Sequence, residues 1–262
     1  TRRSSDLGLP PPKGLFYMNK RSGIDQPLYN SVRSHILDKL KHGVWQPGAK
    51  IPTEPELAKL FSVSVGTVRK AVEDLVSEKV LIRRARIGTT VATHEQHNQF
   101  STFFNFLSRS SSEMHVVPKL LSFQKVLANN ELANILEVPE GDALISIDNL
   151  RLLNGKPVMY DRIWLPQKKF SKLTKKSFEN RDGSIYSLYQ SEFMMTIVRI
   201  HEQIEAINVP EFIMKELNLK KSDPVLKITR YAYTYGDEVV EYRNRYVNTT
   251  LSLYQNEIGL RE

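Results

Sequence analysis

Residues 47–91, PGAKIPTEPELAKLFSVSVGTVRKAVEDLVSEKVLIRRARIGTTV, decide the fold of the first part of this 262-residue chain. Thr53 and Glu56 have the spacing of a capping box at the start of one helix, and Ser64 can cap the next helix. Apolar residues at helical spacing predict the buried face of that next helix: Val68, Ala71, Val72 and Leu75. Because the turn between the two helices is short, we expect them to cross steeply, as in a helix-turn-helix.

A further helix and a hairpin flank this pair. Apolar residues repeated every four positions predict a helix before it, which ends near Gly43: Leu28, Val32, Ile36 and Leu40. After the pair, residues 80–84 and 89–92 are β-rich runs around a tight basic turn, which is the pattern of a hairpin. Three helices closed by a hairpin predict a winged helix-turn-helix over residues 26–92, a fold that presents one helix to a groove of DNA.

The positive charge is concentrated in the same part of the chain. Residues 1–95 hold 16 Lys and Arg against 9 Asp and Glu, whereas residues 96–262 hold 21 against 20. A basic first third joined to a nearly neutral remainder predicts two domains, of which the first faces a polyanion. With 40% hydrophobic residues the chain can build two packed cores, so a wholly disordered basic protein is excluded.

The residues expected at the DNA surface lie at the start of the second helix of the motif and on the hairpin. The helix N-terminus favours a phosphate, and Arg69 has the chemistry to recognise a guanine edge with two hydrogen bonds. Arg86, at the hairpin tip, is placed to enter a narrow minor groove. The predicted DNA-binding residues are Thr53, Ser64, Val65, Gly66, Thr67, Arg69, Lys70, Arg84, Arg86 and Gly88.

Several of these residues have a second interpretation that does not involve DNA. Gly66 costs roughly 1 kcal/mol inside a helix, and both close approach to DNA and a neutral exposed position would explain it. Thr67 could contact a phosphate or a thymine methyl group. Arg83, which stands beside the candidates on the hairpin, is interpreted as a solvated surface charge.

The rest of the chain divides into an arm, a linker and a second domain. Residues 1–25 are rich in Pro, Gly and Ser and predict a flexible arm, in which Met18 is a candidate start. Residues 93–115 are polar and Ser-rich and predict an interdomain linker that docks partway along. Residues 116–262 predict strands at 116–127, 143–153, 157–165, 197–208, 225–234 and 239–247, and helices at 130–136, 185–193 and 210–217.

Two segments of the second domain are similar to each other. LANILEVPEGDALISIDNLRLLNG, residues 132–155, and IMKELNLKKSDPVLKITRYAYTYG, residues 213–236, each read as a helix, a charged turn, a buried strand and a polar hairpin. Duplication of one such unit predicts a largely antiparallel sheet with pseudo-twofold character. The predicted fold class is therefore α+β with two domains, an N-terminal winged helix-turn-helix and a C-terminal mixed α/β domain.

Four stretches of residues 27–91 combine the P-G-x-x-(L/I)-P-(S/T)-E, E-L-A and T-V-R elements of a known family at that family's spacing. They are PLYNSVRSHILDKL, PGAKIPTEPELAKLFSVS, TVRKAVEDLVSEKVLIRR and GTTV. In this combination the segment resembles the GntR family of bacterial winged-helix transcription regulators. Arg69 matches its family counterpart, whereas Val65 and Pro55 stand where the family usually has arginine and Arg86 where it usually has glycine. These departures mean that the resemblance does not imply the usual operator sequence of the family.

The second domain resembles the UTRA effector-binding domain, which is typical of the HutC branch and has a chorismate lyase-like fold. The resemblance rests on LRLLNGKPVMYDRIWLP, GSIYSLY, HEQIEAINV and PVLKITRYAYTYGDEVVEYRNRY. It implies a pocket for a small, often anionic metabolite such as a sugar phosphate, lined by Arg151, Asp161, Ser184, Tyr186 and Glu241. Asn149 replaces a second family arginine, which leaves phosphate recognition open. His201, next to Glu202 on a predicted strand, is a further pocket candidate.

Other classes of site find no support in the sequence. The absence of cysteine excludes disulfides, thiol catalysis and cysteine-ligated zinc, and it fits a cytoplasmic setting. No run of 18 apolar residues could span a membrane. His94 and His97 form the only close histidine pair and lack a third ligand, so no metal is expected. Without a P-loop, G-x-S-x-G or G-x-G-x-x-G motif, we expect neither a cofactor nor catalytic residues, and the chain is predicted not to be an enzyme.

The sequence thus predicts a DNA-binding transcription regulator, a repressor, whose operator binding is modulated by a small metabolite bound in the second domain. One recognition helix reads only a few base pairs, so a homodimer on a palindromic operator is expected. Two alternatives stay open. The second domain could be an inert dimerisation domain of a ligand-independent DNA-binding protein, or it could be enzyme-like, since the UTRA fold is related to chorismate lyase.

Overall fold

The computed structural model describes residues 28–93, 106–108, 116–181 and 184–254. The arm expected at residues 1–25, most of the expected linker, and His94 and His97 lie outside these described residues. In the part of the chain that is described, three helices and a hairpin form one unit, and a six-stranded sheet with its helices forms a second. The predicted α+β architecture with two units is therefore confirmed.

The first unit is a winged helix-turn-helix. Its elements are α1 (Leu28–Lys41), α2 (Glu54–Phe61), α3 (Val65–Ser77), β1 (Leu81–Arg84) and β2 (Gly88–Val91). The predicted apolar face of α3 is buried together with Ile36 of α1 and Leu57 of α2. Leu28, in contrast, begins α1 but is exposed, so the buried stripe of that helix starts one turn later at Val32.

The helix starts follow the predicted caps. The Thr53 N–H donates to Glu56 Oε2 at 2.7 Å, which is the glutamate half of a capping box at the start of α2. Ser64 Oγ accepts a hydrogen bond from the Thr67 N–H at 3.1 Å and caps α3. Between the two helices, Ser62 ends α2 with a left-handed φ of 55°, which turns the chain sharply toward α3.

The second unit is built on a six-stranded sheet. Its strands are β4 (Val116–Leu127), β5 (Ala143–Leu153), β6 (Lys156–Pro166), β7 (Arg199–Asn208), β8 (Pro224–Thr234) and β9 (Glu238–Asn248). Its helices are α4 (Asn130–Leu136), α5 (Lys175–Glu179), α6 (Ile185–Phe193) and α7 (Glu211–Leu217). A separate two-stranded sheet pairs β3 (Phe106–Ser108) with β10 (Ser252–Tyr254). All predicted strands and helices are confirmed, whereas α5, β3 and β10 are absent from the prediction.

The strand order reflects the internal similarity of the sequence. The order is β4-β5-β6-β9-β8-β7 with every neighbouring pair antiparallel. Two units of the same kind, β4-α4-β5-β6 and β7-α7-β8-β9, therefore meet side by side at the β6–β9 seam. Trp164 stacks on Tyr242 across that seam, with 5.3 Å between the ring centroids. The seam thus joins the two halves through both backbone pairing and aromatic contact.

The two faces of the sheet differ in what covers them. On one face, Leu136 of α4 packs in a cluster with Tyr231 and Tyr242, and Ile213 of α7 packs with Tyr160. On the other face, α6 lies over an apolar region of β5 and β6 and is joined there by Phe170. The remainder of this second face carries buried charged side chains, which is unusual for the interior of a domain.

Residues of the second unit complete the core of the first. Tyr235, in the turn between β8 and β9, is 4% exposed and belongs to the winged-helix core. The Thr93 hydroxyl donates to Gln190 Oε1 of α6 at 3.1 Å, and both side chains are buried. Lys41, the last residue of α1, lies 3.3 Å from Glu238. These contacts hold the winged helix against the sheet domain.

Tyr235→Ala is expected to lower the free energy of unfolding by roughly 3–5 kcal/mol, because it removes a buried aromatic ring. Chemical denaturation measures this change. Hydrogen exchange should also quicken in α1 and α3, although Tyr235 belongs to the other unit. Tyr235→Phe is the matched control, since it keeps the ring and removes only the hydroxyl that hydrogen bonds Thr196. Unchanged exchange in α1 and α3 of the alanine variant would contradict this packing.

Candidate DNA interface and effector site

The N-terminus of α3 is open to solvent, as a DNA-reading surface requires. Val65 and Gly66 are exposed there, and a Cβ added at Gly66 would meet only the Ser64 hydroxyl at 3.8 Å. Packing within the protein therefore does not explain this glycine. The Ser64 and Thr67 hydroxyls lie 2.8 Å apart, so both already take part in capping the helix.

Arg69, the predicted base-reading residue, is held in place by a carboxylate. Arg69 Nε donates to Glu54 Oε2 at 2.9 Å, and Arg83 donates to Glu54 Oε1 at 2.7 Å. The Arg69 side chain nevertheless remains more than half exposed. Glu54 thus connects the first wing strand to the recognition helix and orients Arg69. Arg83, predicted to be a solvated charge, is instead ion-paired with Glu54 and lies 3.8 Å from Glu73.

The wing tip has a strained backbone. Arg86 is exposed and has a φ of 65°, in the left-handed region that favours glycine. Gly88 has a φ of 105°, and an added Cβ would lie 3.0 Å from Lys50 Cε, so the wing itself requires this glycine. Arg86 therefore adds an exposed cation at a position where the resemblance implies glycine, and the cost is local backbone strain.

The other predicted DNA-binding residues lie near this surface. Thr53 is exposed and its hydroxyl donates to Glu56 at 2.7 Å. The Lys70 ammonium lies 4.2 Å from the centroid of the Tyr29 ring, a cation–π contact that limits its freedom. Arg84 is half-buried at the end of β1.

Arg69→Ala is expected to weaken binding to the preferred operator about 10- to 100-fold and to relax discrimination at one base position. The operator is first selected from a randomised DNA library, and each single-base variant of it is then measured. Glu54→Gln should keep affinity but lose part of the discrimination, because Arg69 is no longer oriented. A uniform loss over all sequences in Arg69→Ala would identify a phosphate contact instead.

Arg151, Asp161, Tyr186 and Glu241, four of the six residues implied for an effector pocket, come together on the sheet face next to α6. Arg151 Nε lies 3.2 Å from Asp161 Oδ2, and the Tyr186 hydroxyl donates to Glu241 Oε1 at 3.3 Å. Arg243 joins the two pairs, because its guanidinium lies 2.7 Å from Glu241 and 3.9 Å from Asp161.

Further buried arginines complete this group. Arg245 makes two hydrogen bonds to Asp161, at 2.6 and 3.1 Å. Arg230 donates to the Tyr186 hydroxyl at 3.3 Å and pairs with Glu202 at 2.6 Å. The set is called the buried charge cluster below; it consists of Arg151, Asp161, Tyr186, Arg230, Glu241, Arg243 and Arg245.

The electrostatics of the cluster are dominated by arginine. Burial alone would raise the pKa of Asp161, but Arg245, Arg243 and Arg151 together hold it well below its usual value. Burial, with Arg245 and Arg243 nearby, lowers the pKa of Arg151 to about 10 even though Asp161 opposes this shift. Asp161 is therefore ionised at all ordinary pH values, and the site has more positive charge than its own carboxylates offset.

Sequence reasoning missed most of the arginines. Glu241, Arg243 and Arg245 alternate along β9, and alternate residues of a strand point to the same face. Charged residues at a spacing of two along a predicted strand were the sequence signal that could have located them. Arg181, which precedes α6, was also missed; its charge acts on Arg243 and Asp161.

The remaining two predicted pocket residues are not members of the cluster. Ser184 caps α6, where its hydroxyl accepts from the Ser187 N–H at 2.9 Å, so it marks the helix end nearest the cluster. His201 pairs with Tyr231 across β7 and β8 and lies 5.8 Å from its ring, on the face that carries α4 and α7. We therefore leave His201 out of the site, because the alternation along β7 turns its side chain away from the cluster.

The described residues contain neither a metal site nor a membrane-spanning helix. No group of three His, Asp or Glu side chains in those ranges is arranged to hold a metal ion. No helix in the same part of the chain is long and apolar enough to cross a membrane.

Comparison with protein families agrees with both halves of the structure. Residues 28–91 match the model of the bacterial regulatory proteins of the gntR family, and residues 111–250 match the model of the UTRA domain. The chain belongs to the GntR family. It is therefore a DNA-binding transcription regulator with a UTRA effector-binding domain, not an enzyme.

Three curated relatives of this GntR-family regulator are named as repressors. A probable fructoselysine utilization operon transcriptional repressor of Escherichia coli O157:H7 is 28% identical over 82% of this chain and 88% of its own length. The mannosyl-D-glycerate transport/metabolism system repressor MngR of Escherichia coli K12 is 27% identical over 86% and 92%. The repressor NagR of Bacillus subtilis is 27% identical over 86% and 91%.

Solved structures of relatives share the fold. The ligand-binding domain of a GntR-family transcriptional regulator described as putative, from Bordetella bronchiseptica, is 27% identical, with a TM-score of 0.57 over 60% of this chain and 98% of that one. The possible transcriptional regulator YydK of Bacillus subtilis is 17% identical, with a TM-score of 0.53 over 89% of this chain and 100% of that one. The first supports the sheet domain as a ligand-binding domain, and the second supports the two-domain fold.

Proposed function

We propose that this GntR-family regulator is a repressor of the HutC branch that binds a palindromic operator as a homodimer in the cytoplasm. In this proposal a small anionic metabolite binds at the buried charge cluster and releases the protein from DNA. We assign DNA binding to residues 26–92, and effector binding and dimerisation to residues 116–262. An arm over residues 1–25 precedes the first domain, and a linker over residues 93–115 joins the two. The arginine excess of the cluster is the observation that carries the proposal.

The charge balance of the cluster favours an anion. Five arginines meet three carboxylates there among the described residues: Arg151, Arg181, Arg230, Arg243 and Arg245 against Asp161, Glu202 and Glu241. A buried charge is costly unless it is paired, so a bound anion would offset the excess. An inert dimerisation domain would gain nothing from such an excess, which argues against that alternative.

The names of relatives narrow the chemistry of the effector. Two of the repressors are named for fructoselysine and for mannosyl-D-glycerate, which are sugar-derived compounds. A sugar that carries a phosphate or a carboxylate combines a sugar-derived structure with the anionic group that the cluster favours. We therefore place the effector in the class of anionic sugar derivatives, with sugar phosphates as the first candidates.

The affinity and specificity that operator binding needs are the reason to propose a dimer. Residues 26–92 hold 11 Lys and Arg against 6 Asp and Glu, a modest excess for a protein that must find one site in a genome. One recognition helix also reads too few base pairs for useful specificity. Two copies on a palindrome would supply both the affinity and the specificity that a single winged helix lacks.

Helix α6 supplies the link between effector and DNA in this proposal. Tyr186 in its first turn contacts Glu241 and Arg230, and Gln190, four residues later, lies on the same side of the helix. Gln190 accepts from the Thr93 hydroxyl and donates to the Ala92 carbonyl oxygen at 3.4 Å, directly after the second wing strand. A ligand that moves the first turn of α6 would therefore move the wing.

Phosphate-bearing probes are expected to raise the thermal unfolding temperature, because specific ligands stabilise the folded state. The probes are inorganic phosphate, glucose 6-phosphate and fructose 6-phosphate, with glucose and fructose as uncharged controls. The sugar phosphate that binds best should weaken binding to the selected operator at least tenfold, which is within the usual range of allosteric coupling.

Arg151→Gln should abolish this response while the ligand-free protein stays folded, since Arg245 continues to pair with Asp161. Arg162→Gln is the matched control, because Arg162 is ion-paired with Asp148 on the other face of the sheet. Equal shifts with the uncharged sugars, or a full response in Arg151→Gln, would overturn the anion site.

Gln190→Leu is expected to separate ligand binding from release of DNA. Sugar phosphate affinity should stay within about twofold, because Gln190 hydrogen bonds Thr93, the Ala92 carbonyl and Thr196, which are not members of the buried charge cluster. The tenfold effect on operator affinity should instead fall below about threefold. Gln124→Leu, at an exposed position of β4, is the control. Calorimetry and operator titration provide the two readouts, and an unchanged release in Gln190→Leu would rule out α6 as the link.

A further inference from the structure

Three side chains in or next to the buried charge cluster keep buried polar atoms without a hydrogen-bond partner in the structure. They are Asn149, through both Oδ1 and Nδ2, Arg243 through Nε, and Arg181 through Nε. Buried polar groups in folded proteins are nearly always paired, so each exception calls for a physical explanation. All three surround Asp161. Asn149 is paired in register with Asp161, Arg243 lies 3.9 Å from its carboxylate, and Arg181 is near enough for the two charges to interact.

Asn149 is the most informative of the three. Its side chain is fully buried, and alternation along β5 places it on the same face as Arg151. The strands around it are irregular: one register shift lies in β4 between Leu120 and Ser122, opposite Asn149, and another follows Arg151. Irregularities of this kind are enriched next to functional sites, where they re-aim side chains.

Internal packing does not explain the asparagine. An unpaired buried amide is destabilising, and a leucine of similar size would fill the same space without unpaired polar atoms. A further arginine at this position would add to a cluster in which burial and two neighbouring arginines already lower the pKa of Arg151 to about 10. The amide is therefore suited to a ligand group that is polar but uncharged.

We propose that Asn149 is a specificity-determining residue of the effector site, and that it recognises a neutral hydroxyl group next to the anionic group of the effector. This inference rests on the proposed function, in which the cluster binds an anion. A hydroxyl both donates and accepts, as does the Asn149 amide. The unpaired Nε groups of Arg181 and Arg243 donate to the anionic group, while Asn149 Oδ1 and Nδ2 pair with the hydroxyl.

This arrangement defines the ligand class more narrowly than charge alone. A hydroxylated phosphate monoester satisfies both the arginines and the amide. A diphosphate or a second carboxylate would place negative charge against the amide oxygen and is disfavoured. The discrimination comes from Asn149, because a site with buried polar groups rejects ligands that leave those groups unpaired.

The test compares two probes in three proteins by calorimetry and thermal unfolding. The probes are inorganic phosphate, and whichever of glucose 6-phosphate, fructose 6-phosphate and mannose 6-phosphate binds the wild type best. The variants are Asn149→Leu and, as the matched control, Asn244→Leu. Asn244 accepts a hydrogen bond from Thr229 on the other face of the sheet, so its loss is structural only.

We expect the wild type to bind the hexose phosphate more tightly than inorganic phosphate. Asn149→Leu should weaken the hexose phosphate about tenfold, leave inorganic phosphate within about twofold, and unfold at the same or a higher temperature without ligand. Asn244→Leu should lower the unfolding temperature and leave both affinities unchanged.

Each contrary result has a separate meaning. If the hexose phosphate binds no better than inorganic phosphate in the wild type, or if its advantage survives in Asn149→Leu, the role of Asn149 is wrong while the anion site stands. If Asn149→Leu weakens both probes equally, Asn149 is a structural residue and the proposal also fails. If inorganic phosphate and all three hexose phosphates fail to bind the wild type, the proposed function itself is wrong.

Discussion

The contact of Arg243 with both Glu241 and Asp161 is the interaction on which the buried charge cluster depends. It joins two buried carboxylates that belong to different halves of the duplicated sheet, across the β6–β9 seam. Burying charge is costly, and such a cluster persists only when its members satisfy one another. Because the carboxylates are occupied by arginines inside the protein, we propose that the excess positive charge binds an anionic ligand. In this proposal Asp161 and Glu241, which the resemblance places in the lining of the pocket, hold the arginines in position.

Helix α6 and the turn between β8 and β9 connect the buried charge cluster to the DNA-binding unit through a few contacts. Glu241 is held by Tyr186 and Tyr189 of α6, and the far turn of this short helix holds the residues that follow the wing. The turn between β8 and β9 adds Tyr235 to the winged-helix core. Helix α6 and the turn between β8 and β9 each contact both units, and these are the contacts through which we propose that a change at the cluster reaches the wing.

Local patterns made most of the fold predictable from the sequence. The caps at Thr53 and Ser64, the apolar face of α3 and the alternating strands are set by neighbours in the chain, and the prediction found them. Arg243, Arg245 and the Glu54–Arg69 pair depend on residues brought together by strand pairing and helix crossing, which local patterns do not specify. His201 illustrates the same limit. It is a plausible residue type on a correctly predicted strand, but its side chain lies on the face opposite the buried charge cluster. The face that a strand residue occupies depends on the exact register of the strand.

Hydrogen exchange across the whole chain tests the central claim most directly, since it reports on the cluster, α6 and the wing in one experiment. The exchange of α6, β9 and residues 88–93 is compared with and without a saturating hexose phosphate, and with glucose as the uncharged control. A cluster coupled to the wing through α6 predicts that all three segments change together, and only with the phosphate. A change confined to β9 and α6, with residues 88–93 unaffected, would contradict the coupling between effector and DNA.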